Sequence, residues 1–422
     1  MKPKSACLII TEDSPESYSP AGERIRHMAS AGGSVFSKVV ILTLRGTRKA
    51  KKQETRAPVS LYTINFSRAM LFPISAFLDP VKLFVFLVHG FMLCKRYEPF
   101  CIVASMPPLE TGASAWFLAK FLNIRLIVDL RDDWESALGS QLARFIPHRR
   151  LLKPLFKVAA RMYSFSSGIL VITSTLAAII RNRGINTPIF LSPNGADTSL
   201  FFPRNDEVRG RIRMKYGLPE DKVIFIYCGS GLNPYYRLDL VLLSLRSLPN
   251  DVKKKIFSVF YLYNGIEYLR KSKSRLKIAD NLIEIRDPLP RYGVAEIMAA
   301  CDVGLVPFDD KAYLQYATSS KIHEYMSTGL YVIGSGPKGG ELSAFLSQDP
   351  KQGLFIQPSQ EGFTHAFSEV IGNAESLFNS NHRNTRYAFT RRNYDRQKIM
   401  RRTMKMLYTN LVLSERDATE DG

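Results

Sequence analysis

Residues 300–346 read ACDVGLVPFDDKAYLQYATSSKIHEYMSTGLYVIGSGPKGGELSAFL. Two short runs of β-branched and aliphatic residues, 303–308 and 331–334, predict buried strands, since strands of parallel sheets are covered on both faces. A helical pattern follows each run, the second after a glycine-rich loop. This alternation of strand, loop and helix is the repeating unit of a parallel α/β sheet.

The first of these helices carries a candidate nucleotide clamp at its start. Ser319 or Ser320 is suited to cap the helix, which places Lys321 in the first turn, where unpaired backbone N–H groups and the helix dipole attract anions. Glu324 lies on the same face, and a carboxylate there is suited to accept hydrogen bonds from ribose hydroxyls. Lys321 is therefore predicted to hold a phosphate and Glu324 a ribose, although the pair also fits an exposed salt bridge on a surface helix.

The glycine-rich loop before the second helix offers another phosphate-binding position. Gly336, Gly339 and Gly340 precede Glu341, and glycines let the backbone approach a ligand closely while successive N–H groups cradle a pyrophosphate. Both helix starts follow adjacent strands, and open α/β sheets bind ligands at the carboxyl ends of their strands. Together the two helix starts favour a nucleotide diphosphate site.

The same strand pattern occurs in two series along the chain, which predicts two Rossmann-like domains. The first series comprises residues 6–11, 39–43, 61–65, 102–106, 126–130, 169–173 and 189–192, and the second comprises residues 223–228, 258–263, 282–285, 303–308, 331–334 and 354–357. Between them, residues 194–222 are rich in polar, charged, Gly and Pro residues, as expected at a domain junction.

These patterns set the predicted domain boundaries. We place an N-terminal, acceptor-side domain at residues 1–195 and a C-terminal, nucleotide-sugar-binding domain at residues 196–390. Residues 391–413 have apolar positions at helical spacing, which predicts an amphipathic C-terminal helix that packs back on the first domain. Residues 414–422 form a polar tail.

Several segments resemble those of the family 4 glycosyltransferases, which have the GT-B fold, with two Rossmann-like domains facing across a cleft. The donor-site segments are DVGLVP (302–307), SKIHEYMSTG (320–329) and GGE (339–341), while residues 193–197 with Phe201 and Pro203 resemble the interdomain linker, and residues 105–108 and 129–134 resemble N-terminal segments. The resemblance spans nearly the whole chain.

The resemblance implies an enzyme that transfers a sugar, with retention, from a nucleoside diphosphate sugar, commonly a UDP-sugar, in bacterial surface-polysaccharide assembly. It implies no metal and no cofactor, since the nucleotide sugar is a substrate. Glu324 would bind the ribose, and Lys321 would bind the diphosphate as the catalytic cation. The other implied donor-site residues are Ser320, Gly229, Gly339 and Gly340 for the nucleotide, and Tyr316 and Glu341 near the sugar.

Two positions depart from the family pattern. Many members have a Glu eight positions before the ribose-binding Glu, where this chain has Tyr316, and this difference leaves the sugar specificity open. Many members also have a Lys-Gly pair where this chain has Tyr236 and Arg237. Arg237, a fixed bidentate donor, is predicted to supply the missing phosphate contact as a second catalytic cation.

The acceptor side is predicted in two segments of the first domain that follow strands. Gly22 and Arg24 lie in a loop after the first strand, and Arg131 and Asp132 follow another strand. Asp132 is the candidate to orient or deprotonate an acceptor hydroxyl, and Arg131 the candidate to pair an acceptor phosphate. An internal Asp–Arg salt bridge that shapes the loop fits the second segment equally well.

The charge of the chain points to an anionic partner. The formal net charge is +20, and residues 1–204 hold 27 Lys and Arg against 13 acids. Such a field attracts nucleic acid, an anionic membrane or a phosphorylated substrate. Nucleic acid is not expected, because no helix-turn-helix, zinc-finger or aromatic-basic RNA signature is present.

Two features suggest contact with a membrane surface. Residues 77–94 are apolar, but Asp79, Lys82 and His89 make the stretch too polar to span a bilayer, so it fits a helix that is partly buried or lies at the interface. A basic cluster interleaved with apolar residues fits either lipid headgroups or an ordinary solvated face. Its members are Arg144, His148, Arg149, Arg150, Lys153, Lys157 and Arg161.

No export signal is evident and the five cysteines are widely spaced, so we expect a cytoplasmic protein, peripheral on the inner face of the cell membrane. The leading hypothesis is sugar transfer from a UDP-sugar to a lipid-linked or growing polysaccharide acceptor. The alternatives are a nucleotide-sugar-binding protein without turnover and a sugar-nucleotide epimerase on the same fold.

Overall fold

The computed structural model describes residues 6–17, 19–45, 58–65, 79–142 and 153–420. The chain divides into two compact units, Met1–Asn194 with Gln397–Gly422 and Gly195–Arg396. Each unit is built on one parallel β-sheet with helices, which confirms the predicted α/β class.

Seven strands form the sheet of the first unit. They are β1 (Ala6–Thr11), β2 (Lys38–Arg45), β3 (Val59–Asn65), β4 (Pro99–Met106), β5 (Arg125–Leu130), β6 (Gly168–Val171) and β7 (Ile189–Leu191), in the order β3-β2-β1-β4-β5-β6-β7. The helices are α1 (Pro20–Gly32), α2 (Pro80–Tyr97), α3 (Leu109–Leu122), α4 (Trp134–Leu142), α5 (Lys153–Phe165) and α6 (Ser174–Asn182). The central strands are buried along nearly their whole length, which explains their continuous apolar sequences.

Six strands form the sheet of the second unit. They are β8 (Val223–Ser230), β9 (Ile256–Asn264), β10 (Ile283–Arg286), β11 (Val303–Pro307), β12 (Tyr331–Ser335) and β13 (Gly353–Ile356), in the order β10-β9-β8-β11-β12-β13. The helices are α7 (Asp206–Lys215), α8 (Leu238–Ser247), α9 (Asn250–Lys255), α10 (Ile266–Arg275), α11 (Arg291–Ala300), α12 (Ser320–Ser327), α13 (Glu341–Leu346), α14 (Gln360–Gly372), α15 (Ala374–Leu377) and α16 (Ser380–Asn393).

The strand order of the second unit defines where a ligand is expected. The chain winds outward from β8 to β10 in one direction and then from β11 to β13 in the other. In open parallel sheets, ligands bind beyond the carboxyl ends of the strands at such a reversal. The switch point lies between β8 and β11, so the residues that follow these two strands are the first candidates for a binding site.

The last helix, α17 (Arg396–Glu420), contributes apolar side chains to the first unit. Met400, Met404, Leu407 and Leu411 are buried in one cluster with residues of β1 and β2 such as Cys7. Their spacing of three and four positions places them on one face of the helix.

A buried ion cluster holds the second unit together at the start of β11. Asp302 accepts hydrogen bonds from Arg209 at 2.5 Å and from Arg213 at 2.7 Å, and Arg383 of α16 lies 3.6 Å away. The carboxylate also accepts the backbone N–H of Ile224 in β8 at 2.9 Å. One acid thus links α7, α16 and two strands.

Within the described parts of the chain, no helix combines the length and the apolar character that crossing a bilayer requires. The apolar stretch at 77–94 forms most of α2, with residues 77 and 78 outside the described residues. Of the basic cluster, Lys153, Lys157 and Arg161 lie on α5. Its other members, Arg144, His148, Arg149 and Arg150, lie outside the described residues.

Candidate functional site

The candidate site is built around the first turn of α12, which follows β11 at the switch point. Ser319 is the N-cap of this helix, and its hydroxyl accepts the backbone N–H of Lys321 at 3.4 Å. Ser320 is the first helical residue and is buried. The predicted cap is therefore present, and it places Lys321 and Glu324 at the carboxyl edge of the sheet.

Lys321 lies among aromatic side chains. Its ammonium group donates to the hydroxyl of Tyr236 at 3.3 Å and lies 5.0 Å from the centre of the Tyr236 ring and 5.7 Å from that of Tyr227. Burial lowers the pKa of Lys321, but the Tyr236 hydroxyl and the Glu324 carboxylate raise it, and the net effect is a raised pKa. Lys321 is therefore a cation at neutral pH.

Gly229 at the end of β8 makes room for this ammonium group. A Cβ at Gly229 would lie 2.9 Å from Cε and 3.1 Å from Nζ of Lys321, so a side chain there would displace the lysine. The residues Gly229, Lys321 and Tyr236, which come from three separate segments, thus meet at the switch point.

Glu324 is held by two arginines that the sequence did not indicate. Its Oε1 lies 3.5 Å from Arg396 and 3.8 Å from Arg291. Arg396 also donates to the carbonyl of Gly195 at 2.7 Å, and its N–H donates to the carbonyl of Ala196 at 2.8 Å. The segment that leads into α17 therefore fixes the carboxylate that is predicted to bind ribose.

The glycine-rich loop differs from the predicted pyrophosphate cradle. Gly339 adopts a φ of 76°, but the N–H of Gly340 donates to the carbonyl of Pro337 at 3.1 Å, and that of Glu341 to the carbonyl of Gln315 at 2.8 Å. The N–H of Gly340, predicted to bind phosphate, is thus bonded within the protein, and so is that of Glu341, which was predicted to lie near the sugar. Their contact with a ligand stays a prediction that requires the loop to rearrange.

At the two positions that depart from the family pattern, Tyr316 is buried and Arg237 is paired with acidic side chains. The side chain of Tyr316 is 1% exposed, so the ring is enclosed. Arg237 makes a two-pronged contact with Asp239, at 2.9 and 2.8 Å, and lies 3.3 Å from Asp309. Hydrogen bonding to Asp239 raises the pKa of Arg237, although burial opposes it. To bind a phosphate of the donor as predicted, Arg237 would have to give up its contact with the Asp239 carboxylate.

Gly22 and Arg24, predicted to lie in a loop on the acceptor side, lie instead in the first two turns of α1, because Ser19 caps the helix and Pro20 begins it. Arg24 is 1% exposed and donates to both carboxylate oxygens of Asp129 and, at 2.9 Å, to the carbonyl of Ser192. A Cβ at Gly22 would lie 2.4 Å from the carbonyl oxygen of Ser14, so glycine is needed for the first turn of α1 to pack against the segment before it. Both contacts favour a structural role, and contact with an acceptor stays a prediction.

Arg131 and Asp132 follow β5 at the carboxyl edge of the first sheet. Arg131 donates to the carbonyl of Pro107 at 2.5 Å and lies 3.5 Å from the carboxylate of Asp13. Asp13 is therefore an ion-pair partner of Arg131 within the first unit. Asp132 is half-buried. The structure does not bring these residues together with Lys321 inside one unit, and their role stays a prediction.

His323, between Lys321 and Glu324, is buried and uncharged. Its ring stacks on Tyr394 at 4.2 Å and meets Phe345 edge-on at 5.6 Å. Burial, and to a lesser extent Arg396, lowers the pKa of His323 to about 3. The histidine therefore supports the position of α12, and it is not a base at neutral pH.

This burial predicts a specific acid sensitivity. Because the pKa of an unfolded histidine is about 6.5, the unfolded chain binds more protons than the folded chain below that pH. The free energy of unfolding should therefore fall as the pH drops from 6.5 towards 3, by up to about 1.4 kcal/mol per pH unit from this group. Urea unfolding at several pH values should show a shallower pH dependence for His323→Gln than for wild type.

The control is His365→Gln, which replaces an exposed histidine and should keep the wild-type pH dependence. Equal pH dependence for all three proteins would refute the conclusion that His323 is buried and uncharged.

Comparisons with known proteins identify the fold. No family model matches the chain, and no curated protein matches it in sequence. HepE of Anabaena, solved in complex with UDP and glucose, is 12% identical, with a TM-score of 0.68 over 96% of this chain and 100% of its own. Sucrose-phosphate synthase from Thermosynechococcus elongatus is 16% identical, with a TM-score of 0.73 over 97% of this chain and 100% of its own.

A third similar structure is WaaG, a glycosyltransferase involved in lipopolysaccharide biosynthesis. It is 12% identical, with a TM-score of 0.64 over 95% of this chain and 99% of its own. At these identities the likeness shows the fold alone. It confirms the prediction of a GT-B-like fold built from two parallel α/β sheets.

Proposed function

We propose that this chain is a glycosyltransferase that moves a sugar, with retention, from a UDP-sugar to a lipid-linked or growing polysaccharide acceptor. The observation that carries the proposal is the meeting of Lys321, Gly229 and Glu324 at the switch point of the second sheet. A cation and a carboxylate one helical turn apart match the diphosphate and the ribose of a nucleotide. The structure of HepE with UDP and glucose supports the choice of nucleotide.

The roles of the two residues follow from charge. Negative charge grows on the leaving diphosphate in the transition state, so Lys321 stabilises the transition state more than the bound donor. Glu324 accepts hydrogen bonds from the ribose hydroxyls, while Arg291 and Arg396 hold its carboxylate in place. A lysine at the leaving group supplies the charge that a metal ion would otherwise provide, and the proposed reaction uses no metal.

Nucleotide binding tests this proposal directly. UDP at saturating concentration should raise the melting temperature of the wild-type chain by about 5 °C, and GDP, ADP and TDP should raise it less. Glu324→Ala should lose most of the UDP shift, because the ribose loses its acceptor. The exposed Glu375→Ala is the matched control and should keep the shift. If no nucleotide stabilises the wild type, the assignment of Lys321 and Glu324 to a nucleotide site is wrong.

A second candidate function is nucleotide-sugar binding without turnover. It is favoured by Tyr316, an enclosed aromatic side chain where many family 4 enzymes have a glutamate. Incubation with UDP-sugars distinguishes the two, since a transferase releases UDP slowly even to water and a binding protein does not. Stabilisation by UDP-sugars without any UDP release would favour the second candidate.

A further inference from the structure

Helix α2 is apolar on two opposite faces, and one of them packs against the rest of the first unit. Phe86, Gly90, Leu93 and Cys94 are buried on this inner face. A Cβ at Gly90 would lie 2.5 Å from Leu118 of α3, so the two helices adjoin closely. The inner face accounts for only part of the apolar character of the helix.

The outer face of α2 and the neighbouring part of α3 expose large apolar side chains. We call this surface the docking face. On α2 it comprises Val81, Phe84, Val88, Phe91 and Met92, which are 53%, 66%, 38%, 46% and 52% exposed, and on α3 Phe117 and Phe121, which are 37% and 82% exposed. Single exposed apolar residues need no explanation, but a run along two adjoining helices marks an interaction surface.

The exposed charged side chains within these two helices are all positive. Lys95 and Arg96 are exposed at the end of α2 and Lys120 is exposed on α3. Lys95 lies 5.7 Å from the centre of the Phe91 ring, and Lys120 lies 5.9 Å from that of Trp116. The one acid within the two helices is Glu110, which is 2% exposed. The docking face therefore combines aromatic side chains with an adjoining cation, Lys95, and one exposed acid, Glu98, follows directly after α2.

We propose that the docking face binds the surface of an anionic lipid bilayer, with α2 lying in the plane of the interface. Aromatic and aliphatic side chains enter the boundary between headgroups and acyl chains, while lysine and arginine bind the phosphates. A second copy of the chain fits less well, because a symmetric dimer would set this face against itself and bring together three exposed cations from each copy, Lys95, Arg96 and Lys120, against one exposed acid, Glu98. At 18 residues, α2 provides a contact about 27 Å long.

The inference deepens the proposed function by placing the enzyme where a lipid-linked acceptor is found. The binding itself is independent of catalysis. It is measured without any sugar donor, so its failure and the failure of the proposed function are separate outcomes.

Vesicle flotation of the full chain tests the proposal. The protein should float with phosphatidylcholine vesicles that contain about 30% phosphatidylglycerol and float less with phosphatidylcholine alone. The double variant Phe84→Ser with Phe91→Ser should lower the partition constant at least about tenfold. Raising the salt to about 0.5 M should weaken binding without abolishing it, because the apolar contribution is not screened.

A matched double variant keeps the test specific. Met214→Ser with Tyr268→Ser removes two side chains of the second unit that are 72% and 56% exposed, and it should float like wild type. The melting temperatures of both double variants, measured without nucleotide, should stay close to that of wild type, which shows that they are folded. Wild type that does not float, or equal flotation of the two double variants, overturns the proposal. A dimer that dissociates only in the Phe84→Ser, Phe91→Ser protein, without flotation of wild type, would assign the face to a second copy instead.

Discussion

Replacing Lys321 by alanine is expected to lower kcat/KM for sugar transfer by a factor of about 10²–10³, since the removed cation faces the leaving diphosphate in the proposed reaction. Most of the loss should appear in kcat, because the charge that Lys321 neutralises grows in the transition state. The measurement is the rate of UDP release with those UDP-sugars that stabilise the wild type.

The surroundings of Lys321 support an effect on catalysis with little effect on folding. Its ammonium group contacts a hydroxyl and two aromatic faces, from Tyr236 and Tyr227. These groups keep their own contacts without the lysine, since Tyr236 stacks on Phe308 at 5.0 Å and the Tyr227 hydroxyl donates to the carbonyl of Ser230 at 2.9 Å. The melting temperature of Lys321→Ala without nucleotide should therefore stay close to that of wild type.

The control for this variant is Lys271→Ala, which removes an exposed lysine on α10. It changes the net charge equally and should leave kcat/KM unchanged. If the two variants have the same activity, Lys321 does not act on the diphosphate. A large rise in KM at constant kcat would instead assign Lys321 to donor binding alone.

The sequence predicts the scaffold of the candidate site well. The runs at 303–308 and 331–334 are almost the observed strands β11 and β12, because a strand buried on both faces must be apolar throughout. The start of α12 was also predictable, since a serine N-cap is a local signal. Local patterns therefore place Lys321 and Glu324 at the edge of a sheet.

The partners of these residues depend on contacts that local patterns do not encode. Arg396 reaches Glu324 because the segment before α17 pairs with Ala196, far away in the sequence. Arg24 looked like a loop residue available to a ligand, but it is buried against Asp129, 105 positions later. The hydrogen bond from the N–H of Glu341 to the carbonyl of Gln315 likewise depends on how two loops meet. The glycines of the predicted phosphate-binding loop do not indicate this bond.

Replacing Asp302 by asparagine is expected to destabilise the second unit by about 3–5 kcal/mol, the usual cost of removing one partner from a buried ion pair. Asp302 is 5% exposed, and Arg213 and Arg383 are 8% and 2% exposed, so little water is available to replace the lost charge. Burial, followed by repulsion from Arg209, already lowers the pKa of Arg383 to about 9. Without the carboxylate, three arginines would remain close together with no buried acid among them.

Hydrogen exchange is the measurement suited to this variant, because two units need not unfold together and a single melting temperature would mix them. The amides of β8 and β11 should exchange about 10²-fold faster or more in Asp302→Asn, and Ile224, whose N–H donates to Asp302, is the most direct reporter. The control is Asp280→Asn, an acid of the same unit with a side chain that is 95% exposed, for which exchange in β8 and β11 is expected to match that of wild type. Unchanged exchange in β8 of Asp302→Asn would mean that the arginines find other partners, and the cluster would then contribute little to holding α7 and α16 on the sheet. Accelerated exchange in the second unit alone, with β1 and β4 unaffected, would establish that the scaffold of the candidate site depends on this one carboxylate.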